Sequence, residues 1–277
     1  MCVEKMKYTY TDCLKLAKEL GFNNERYCYF LFCHIANDST YICDTQISEY
    51  KDKINRLISH EPLDSVIGYT VFMGLKFPFS IDYLTPRQET EIMTDKLVKY
   101  INQFAFPMKV LDLCTGSGCI GISIAKYTSA QVTIADISVK ALSLAKINAR
   151  NMLVDVECVQ SDIFANIHDT FDIIVCNPPY ITVPEYDTLE PEVKNYDPKI
   201  SLTDNADGLQ FYRILASDSP KFLRDGGMVV CEIGALQGES VKKLFAKHYK
   251  YITILLDYSG HDRIVVAHNK ENLCLPN

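Results

Sequence analysis

Short apolar runs that end near an acid, followed by a turn and an amphipathic helix, recur from about residue 86 to the end of the chain. MKVLDLC (108–114), QVTIAD (131–136), VECVQSD (156–162), FDIIVCNPPY (171–180), GMVVCEIG (227–234) and YITILLD (251–257) read as strands. TGSGCIG (115–121) is a glycine-rich turn, and ISIAKY begins a helix after it. SVKALSLAKINAR (138–150) is an amphipathic helix with Ser138 placed to cap it. Strands that alternate with helices need crossover connections, so the class is α/β with a mostly parallel sheet covered on both faces. DRIVVAH (262–268) follows its predecessor without a helix, which predicts one antiparallel edge strand.

The first 65 or so residues read differently. Leu14, Leu16, Ala17 and Leu20 sit at helical spacing with Gly21 as a stop. Tyr27, Phe30, Leu31 and His34 form a second stripe, and Ile47, Tyr50, Ile54, Leu57 and Ile58 a third. No strand alternation interrupts them, and Pro62 and Gly68 mark the end of what reads as a small helical bundle. Residues 67–83 alternate aromatic and β-branched residues with small or polar ones around Gly74, the pattern of a β-hairpin. The expected organisation is a helical domain over 1–66, a hairpin linker over 67–84 and the α/β domain over 85–277.

Composition narrows the class of partner. The 277 residues carry 28 Lys+Arg against 35 Asp+Glu, a formal charge of −7. Coating nucleic acid rests on neutralising phosphates, so this balance argues against such a protein. The only basic cluster, KKLFAKHYK (242–250), has Leu244 and Phe245 at its centre and reads as a solvated helix face. No run approaches the roughly 20 apolar residues of a membrane span. The N-terminal segment, with Asp12 and Glu19 among frequent charges, has no apolar core of a secretory signal. The 11 cysteines, scattered from Cys2 to Cys274 with no CxxC pair, read as small buried hydrophobes in a reducing compartment. Their spacing does not suit zinc, and no metal is expected. The expectation is a cytoplasmic protein.

Two motifs carry the chemistry. The first runs Asp112-Leu113-Cys114-Thr115-Gly116-Ser117-Gly118-Cys119-Ile120-Gly121, between a strand and a helix. Glycines let the backbone turn tightly against a ligand, and the helix N-terminus offers unpaired N–H groups. Asp136, 20 residues after Gly116, ends the next strand and can bind a ribose hydroxyl pair. That spacing alone also allows a nicotinamide dinucleotide.

The second motif is Asn177-Pro178-Pro179-Tyr180, directly after an apolar strand. Two prolines fix the backbone and remove two donors. Asn177 and nearby carbonyls are then convergent acceptors, and Tyr180 offers a face for stacking on a planar group. Such a set suits a planar NH₂, an amide or a base amine, and not hydride transfer.

DLCTGSGCIGISIA, ADIS with ALSLAKINA, SDIF and NPPY stand in an order and spacing that resemble the S-adenosylmethionine-dependent methyltransferases. LTPRQETE (84–91), LEPEVKNYDP (189–198), DGLQFYRIL (207–215), GGMVVCEIG with Gln237, and the tail around Asp257 and Arg263 extend the likeness. Over nearly the whole chain it resembles the protein-(glutamine-N5) methyltransferases that modify peptide chain release factors. Gln88 stands where that family usually has proline, and residues 203–206 replace a common glycine pair.

The resemblance implies a Rossmann-like class I fold with a seven-stranded sheet, and methyl transfer to the glutamine amide of a Gly-Gly-Gln loop. It implies that Asp112, Leu113, Cys114, Thr115, Gly116 and Gly118 hold the methionine end of S-adenosylmethionine. Asp136 would take the ribose, Asp162 and Ile163 the adenine, with Asn177 beside the cofactor. Asn177, Pro178, Pro179 and Tyr180 would form the catalytic set, with release factors as partners gripped by the N-terminal bundle. NPPY is shared with DNA and RNA amino-methyltransferases acting on adenine or cytosine, which must extrude a base and hold phosphates. A protein keeping the fold for binding alone is a third reading, and the intact NPPY speaks against it.

Overall fold

The computed structural model describes residues 6–276. Cys2 and the outermost residues of the expected domain spans, 1–5 and 277, lie outside them. The chain divides into two compact units: residues up to Tyr69 with Glu190–Tyr196, and Thr70–Leu189 with Asp197 onward.

The first unit holds helices α1 (Tyr10–Glu19), α2 (Glu25–Ala36), α3 (Asp44–Ile58) and α4 (Leu63–Ile67). Thr9 caps α1 by a reciprocal bond with Asp12, and Asn24 caps α2 through the Tyr27 N–H. The buried stripe of α1 is Cys13 and Ala17, while Leu20 is exposed. Small side chains there let the helix approach Cys28 and Leu31 of α2 and Tyr50 and Ile54 of α3, all fully buried in one core. A two-residue antiparallel pair, β1 (Lys7–Tyr8) and β2 (Ile42–Cys43), interrupts a segment whose sequence shows no strand pattern.

Strands β3 (Tyr69–Phe72) and β4 (Leu75–Pro78) form the hairpin. Met73 and Gly74 both have positive φ, the two-residue turn that matches strand twist. The sequence of the second unit then runs α5 (Gln88–Ile101), β5 (Lys109–Leu113), α6 (Cys119–Tyr127), β6 (Gln131–Asp136), α7 (Val139–Asn151), β7 (Glu157–Gln160) and β8 (Phe171–Cys176). After it come the short helices α8 (Val183–Asp187), α9 (Pro191–Lys194) and α10 (Lys199–Leu202), of which α9 belongs to the first unit. The chain closes with α11 (Gln210–Asp218), β9 (Leu223–Glu232), α12 (Gly238–Phe245), β10 (Tyr251–Leu256) and β11 (Asp262–His268).

The seven strands are ordered β10-β11-β9-β8-β5-β6-β7. β5 to β9 are parallel, and β11 is antiparallel to both its neighbours. Alternate residues feed two cores, one on each face. Val110, Ile173, Val175, Met228 and Val230 belong to one, and Leu111, Leu113, Ile174, Cys176 and Val229 to the other. That is why these strands read as unbroken apolar runs.

The antiparallel strand is not at the edge, as the sequence pattern suggests. β11 is inserted between β9 and β10, and β10 is the edge. Burial explains the choice: Ile264 to His268 are all buried, whereas no residue of β10 is. The more continuously apolar strand takes the covered place.

Candidate active site

The parallel strands end together, and their carboxyl ends carry the site. At the tip of β5, Asp112 is fully buried beneath the glycine loop. Its Oδ2 accepts from Thr115 Oγ1 at 2.5 Å and from the Gly121 N–H at 2.9 Å, so one carboxylate oxygen ties the loop to the start of α6. Oδ1 has no partner. Burial pushes the Asp112 carboxyl up to about 7, against the pull of Thr115 and Gly121. Gly118 turns the chain into α6 at φ 81°, and a Cβ there would lie 2.6 Å from Ile122 Cδ1. Cys114, with φ 56°, holds a left-handed conformation in the same loop despite its side chain.

Asp136, at the tip of β6, reaches across to this loop. Its Oδ2 accepts from the Gly116 N–H and its Oδ1 from the Ser138 N–H, each at 2.9 Å. Burial raises its pKa, and these N–H groups oppose the rise. No basic side chain pairs with it among the described residues. Its charge is therefore balanced by backbone dipoles alone, leaving its remaining lone pairs for hydroxyl donors.

Asp136 forms part of the wall of an open cavity of about 1020 Å³, solvent at its mouth included, and Asp112 lies behind that wall. Leu113, Cys114, Thr115 and Gly116 form one side, and Ala135, Ile137, Asp162 and Ile163 continue it. Asn177 and Pro179 continue the wall just past the end of β8. Pro86, Arg87 and Thr90 face the cavity from the segment leading into α5. Asp197 straps that segment to the one bearing Pro198 and Ile200: it takes the Thr85 N–H at 2.9 Å and the Arg87 guanidinium. Gln88 is exposed and off the wall, so the residue that departs from proline leaves the lining unchanged.

The NPPY turn is held from behind. Asn177 Nδ2 donates to Thr90 Oγ1 at 3.1 Å, and Thr90 Oγ1 donates to Glu232 Oε2 at 2.6 Å. Tyr180 OH donates to the other oxygen of Glu232 at 3.2 Å. The Tyr180 carbonyl accepts from Gln237 Nε2 at 3.0 Å, which also serves the Gly208 carbonyl. Gly208, at φ 74°, is required here because a Cβ would lie 2.3 Å from the Tyr180 carbonyl oxygen. Asp204 organises the preceding turn, accepting from the N–H groups of Ala206, Gly208 and Gln210.

Of the residues singled out from sequence, Asp112 and Gly118 lie behind the cavity wall and shape the loop. Pro178 is buried, and Tyr180, expected to offer a stacking face, lies off the cavity wall with its hydroxyl bonded to Glu232. Thr90, Glu232, Gln237 and Gly208 have no individual role in the sequence reading. Glu232 had a signal: like Asp112 and Asp136, it is an acid set into an apolar strand end.

The cavity fits S-adenosylmethionine on its own chemistry. Asp136 and Asp162 supply acceptors for ribose or adenine donors, Ala135, Ile137 and Ile163 an apolar wall, and among the described residues the cation on that wall, Arg87, is paired with Asp197. Fold and site together define an S-adenosylmethionine-dependent methyltransferase. The model of the methyltransferase small domain family matches residues 87–189. A release factor glutamine methyltransferase of Clostridium acetobutylicum is 35% identical over 240 residues, 84% of each chain. One of Chlamydia trachomatis is 36% identical, covering 76% of this chain and 73% of the relative. The chain belongs to the release factor glutamine methyltransferase family. It spans 64% of the length of the Fusobacterium nucleatum member, at 37% identity over 79% of this chain. Among solved structures, the hMettl16 catalytic domain bound to an RNA hairpin superposes with a TM-score of 0.60 at 13% identity. It covers 88% of this chain and 95% of that one, a likeness of fold alone.

Proposed function

We propose that the protein methylates the side-chain amide nitrogen of the glutamine in a Gly-Gly-Gln loop of peptide chain release factors. Bound S-adenosylmethionine would supply an electrophilic methyl group, its S–CH₃ bond breaking as the N–C bond forms and S-adenosylhomocysteine leaving as product. Asp136 would hold the ribose, Asp162 and Ile163 the adenine, and the loop over Thr115 and Gly116, braced by Asp112, the methionine end. The observation that carries the acceptor chemistry is the seat of Asn177. Its Nδ2 is committed to Thr90, and its Oδ1 takes no hydrogen bond among the described residues.

An amide nitrogen is a poor nucleophile, because its lone pair is delocalised into the carbonyl. Asn177 Oδ1 and the Pro178 carbonyl would accept its two hydrogens and turn the lone pair toward the methyl. The same acceptors stabilise the positive charge that develops on nitrogen. The methylated nitrogen then releases its extra proton without a strong base. The helical unit would grip the protein substrate, and the enzyme would work in the cytoplasm. No helix among the described residues is long and apolar enough to cross a membrane. Incubation with labelled S-adenosylmethionine and, in turn, release factor, DNA and RNA tests the reading; label in nucleic acid alone would overturn it.

A further inference from the structure

A carboxamide can sit either way round, offering its cavity neighbour an oxygen or an NH₂. Which end Asn177 presents decides whether NPPY accepts from a substrate amide or repels it. The groups behind it are an ordered series. Glu232, the last residue of β9, is 2% exposed. When ionised it can only accept. Thr90, also 2% exposed, has one hydroxyl proton, and it goes to Glu232 Oε2 at 2.6 Å. Thr90 therefore has only a lone pair left for Asn177, which must meet it with Nδ2, at 3.1 Å. Asn177 Oδ1 is then the end left for the cavity.

We propose that Glu232 is a positioning residue that acts through Thr90 to fix the direction of the Asn177 amide, so that NPPY presents an acceptor to the substrate. The inference rests on the reading above, in which the methyl acceptor is an amide NH₂. Tyr180 joins the same device: its hydroxyl donates to Glu232 Oε1 at 3.2 Å, so the two ends of the turn share one carboxylate. A neutral amide at 232 would undo the order. Its NH₂ could donate to Thr90, whose proton would then turn to Asn177 Oδ1 and swing the Asn177 NH₂ into the cavity.

Three variants test this: Glu232→Gln, Thr90→Val and Thr90→Ser. The readouts are turnover on release factor, S-adenosylmethionine affinity by calorimetry, and the NMR contact between the Asn177 Nδ2 protons and the residue-90 side chain. Glu232→Gln and Thr90→Val should lower kcat by about 10–100-fold, the consequence of a misdirected buried polar group. In Glu232→Gln, cofactor affinity should change far less than kcat, because Glu232 lies off the cavity wall. Thr90→Ser keeps the hydroxyl and should restore kcat. The NMR contact should be present in the wild type and lost in folded Glu232→Gln. A folded Glu232→Gln protein with full turnover and an unchanged contact would overturn the proposal. So would Thr90→Val with wild-type kcat. A wild-type protein inactive on release factor that keeps this contact, and loses it in Glu232→Gln, would refute the substrate reading and uphold the polarity assignment.

Discussion

Asn177 and Thr90, 87 positions apart in the chain, meet in one 3.1 Å hydrogen bond from Nδ2 to Oγ1. It joins the end of the central strand β8 to the first turns of α5, the two elements that flank the cavity. On the proposed reading, turnover would depend on a contact that spans the sheet and a helix packed over it, and not on the NPPY loop alone.

Removing the acceptor should isolate its contribution. Asn177→Ala is expected to lower kcat by about 10²–10³-fold, by analogy with the loss of one preorganised hydrogen-bonding group at a reacting centre. Cofactor affinity, measured by calorimetry, should change far less. Asn177→Asp keeps an acceptor and should retain more turnover than the alanine variant. Near-normal kcat in a folded Asn177→Ala protein would reduce NPPY to a rigid loop.

Asp136 should govern cofactor affinity. Asp136→Ala is expected to weaken S-adenosylmethionine binding by roughly 1.5–3 kcal/mol, the worth of charged hydrogen bonds. On the proposed reading the ionised carboxylate is the binding form, and burial raises its pKa above the usual 3.8. Affinity should thus fall as pH drops, and do so at higher pH than an ordinary aspartate would cause. Titrations at about pH 7 and about pH 5 check this, with the alanine variant insensitive to that change.

Asp112 should shape stability and its pH dependence. Its folded pKa of about 7 lies above the ordinary 3.8. Its favourable contribution is complete below the unfolded value and is lost as pH rises through the folded one. Asp112→Asn keeps an oxygen for Thr115 and Gly121 and does not titrate. The Tm of the variant relative to wild type should therefore rise between about pH 4 and about pH 7 and level off above. A constant difference across that window would remove Asp112 from the account.

Gly208 and Gly260 separate close packing from backbone strain. Both have positive φ, but a Cβ on Gly260 meets nothing within 4 Å. Gly260→Ala should cost roughly 1–2 kcal/mol of stability for its left-handed backbone. Gly208→Ala should cost about 1–3 kcal/mol more, since it overpacks the Tyr180 carbonyl. Urea denaturation of the two variants measures the difference.

The strand-turn-helix rhythm made most of the second unit legible, because both faces of its sheet are buried and its strands are unbroken apolar runs. Ser138 caps α7 as its residue type requires, accepting from the Ala141 N–H. What periodicity could not carry was strand order: β10 and β11 look alike in sequence, yet Ile264–His268 of β11 are buried and no residue of β10 is. The site was legible where one segment holds its own chemistry, as at Gly116, Asp136 and Asn177. It was not where a role arises only when distant segments meet. Thr90 is one threonine on an amphipathic helix until Glu232, 142 positions away, accepts its proton. Tyr180 reads as a stacking face, and nothing in its own segment shows that its hydroxyl is bonded to the same carboxylate.

Methyl transfer to a release-factor glutamine leaves a mass signature on one residue. The direct measurement is mass spectrometry of release factor after incubation with the protein and S-adenosylmethionine, with peptide fragmentation to locate the product. The expected result is a gain of one CH₂ on the glutamine of the Gly-Gly-Gln loop, absent with Asn177→Ala. An unmodified loop glutamine, with the methyl group recovered on DNA or RNA offered in the same reaction, would contradict it.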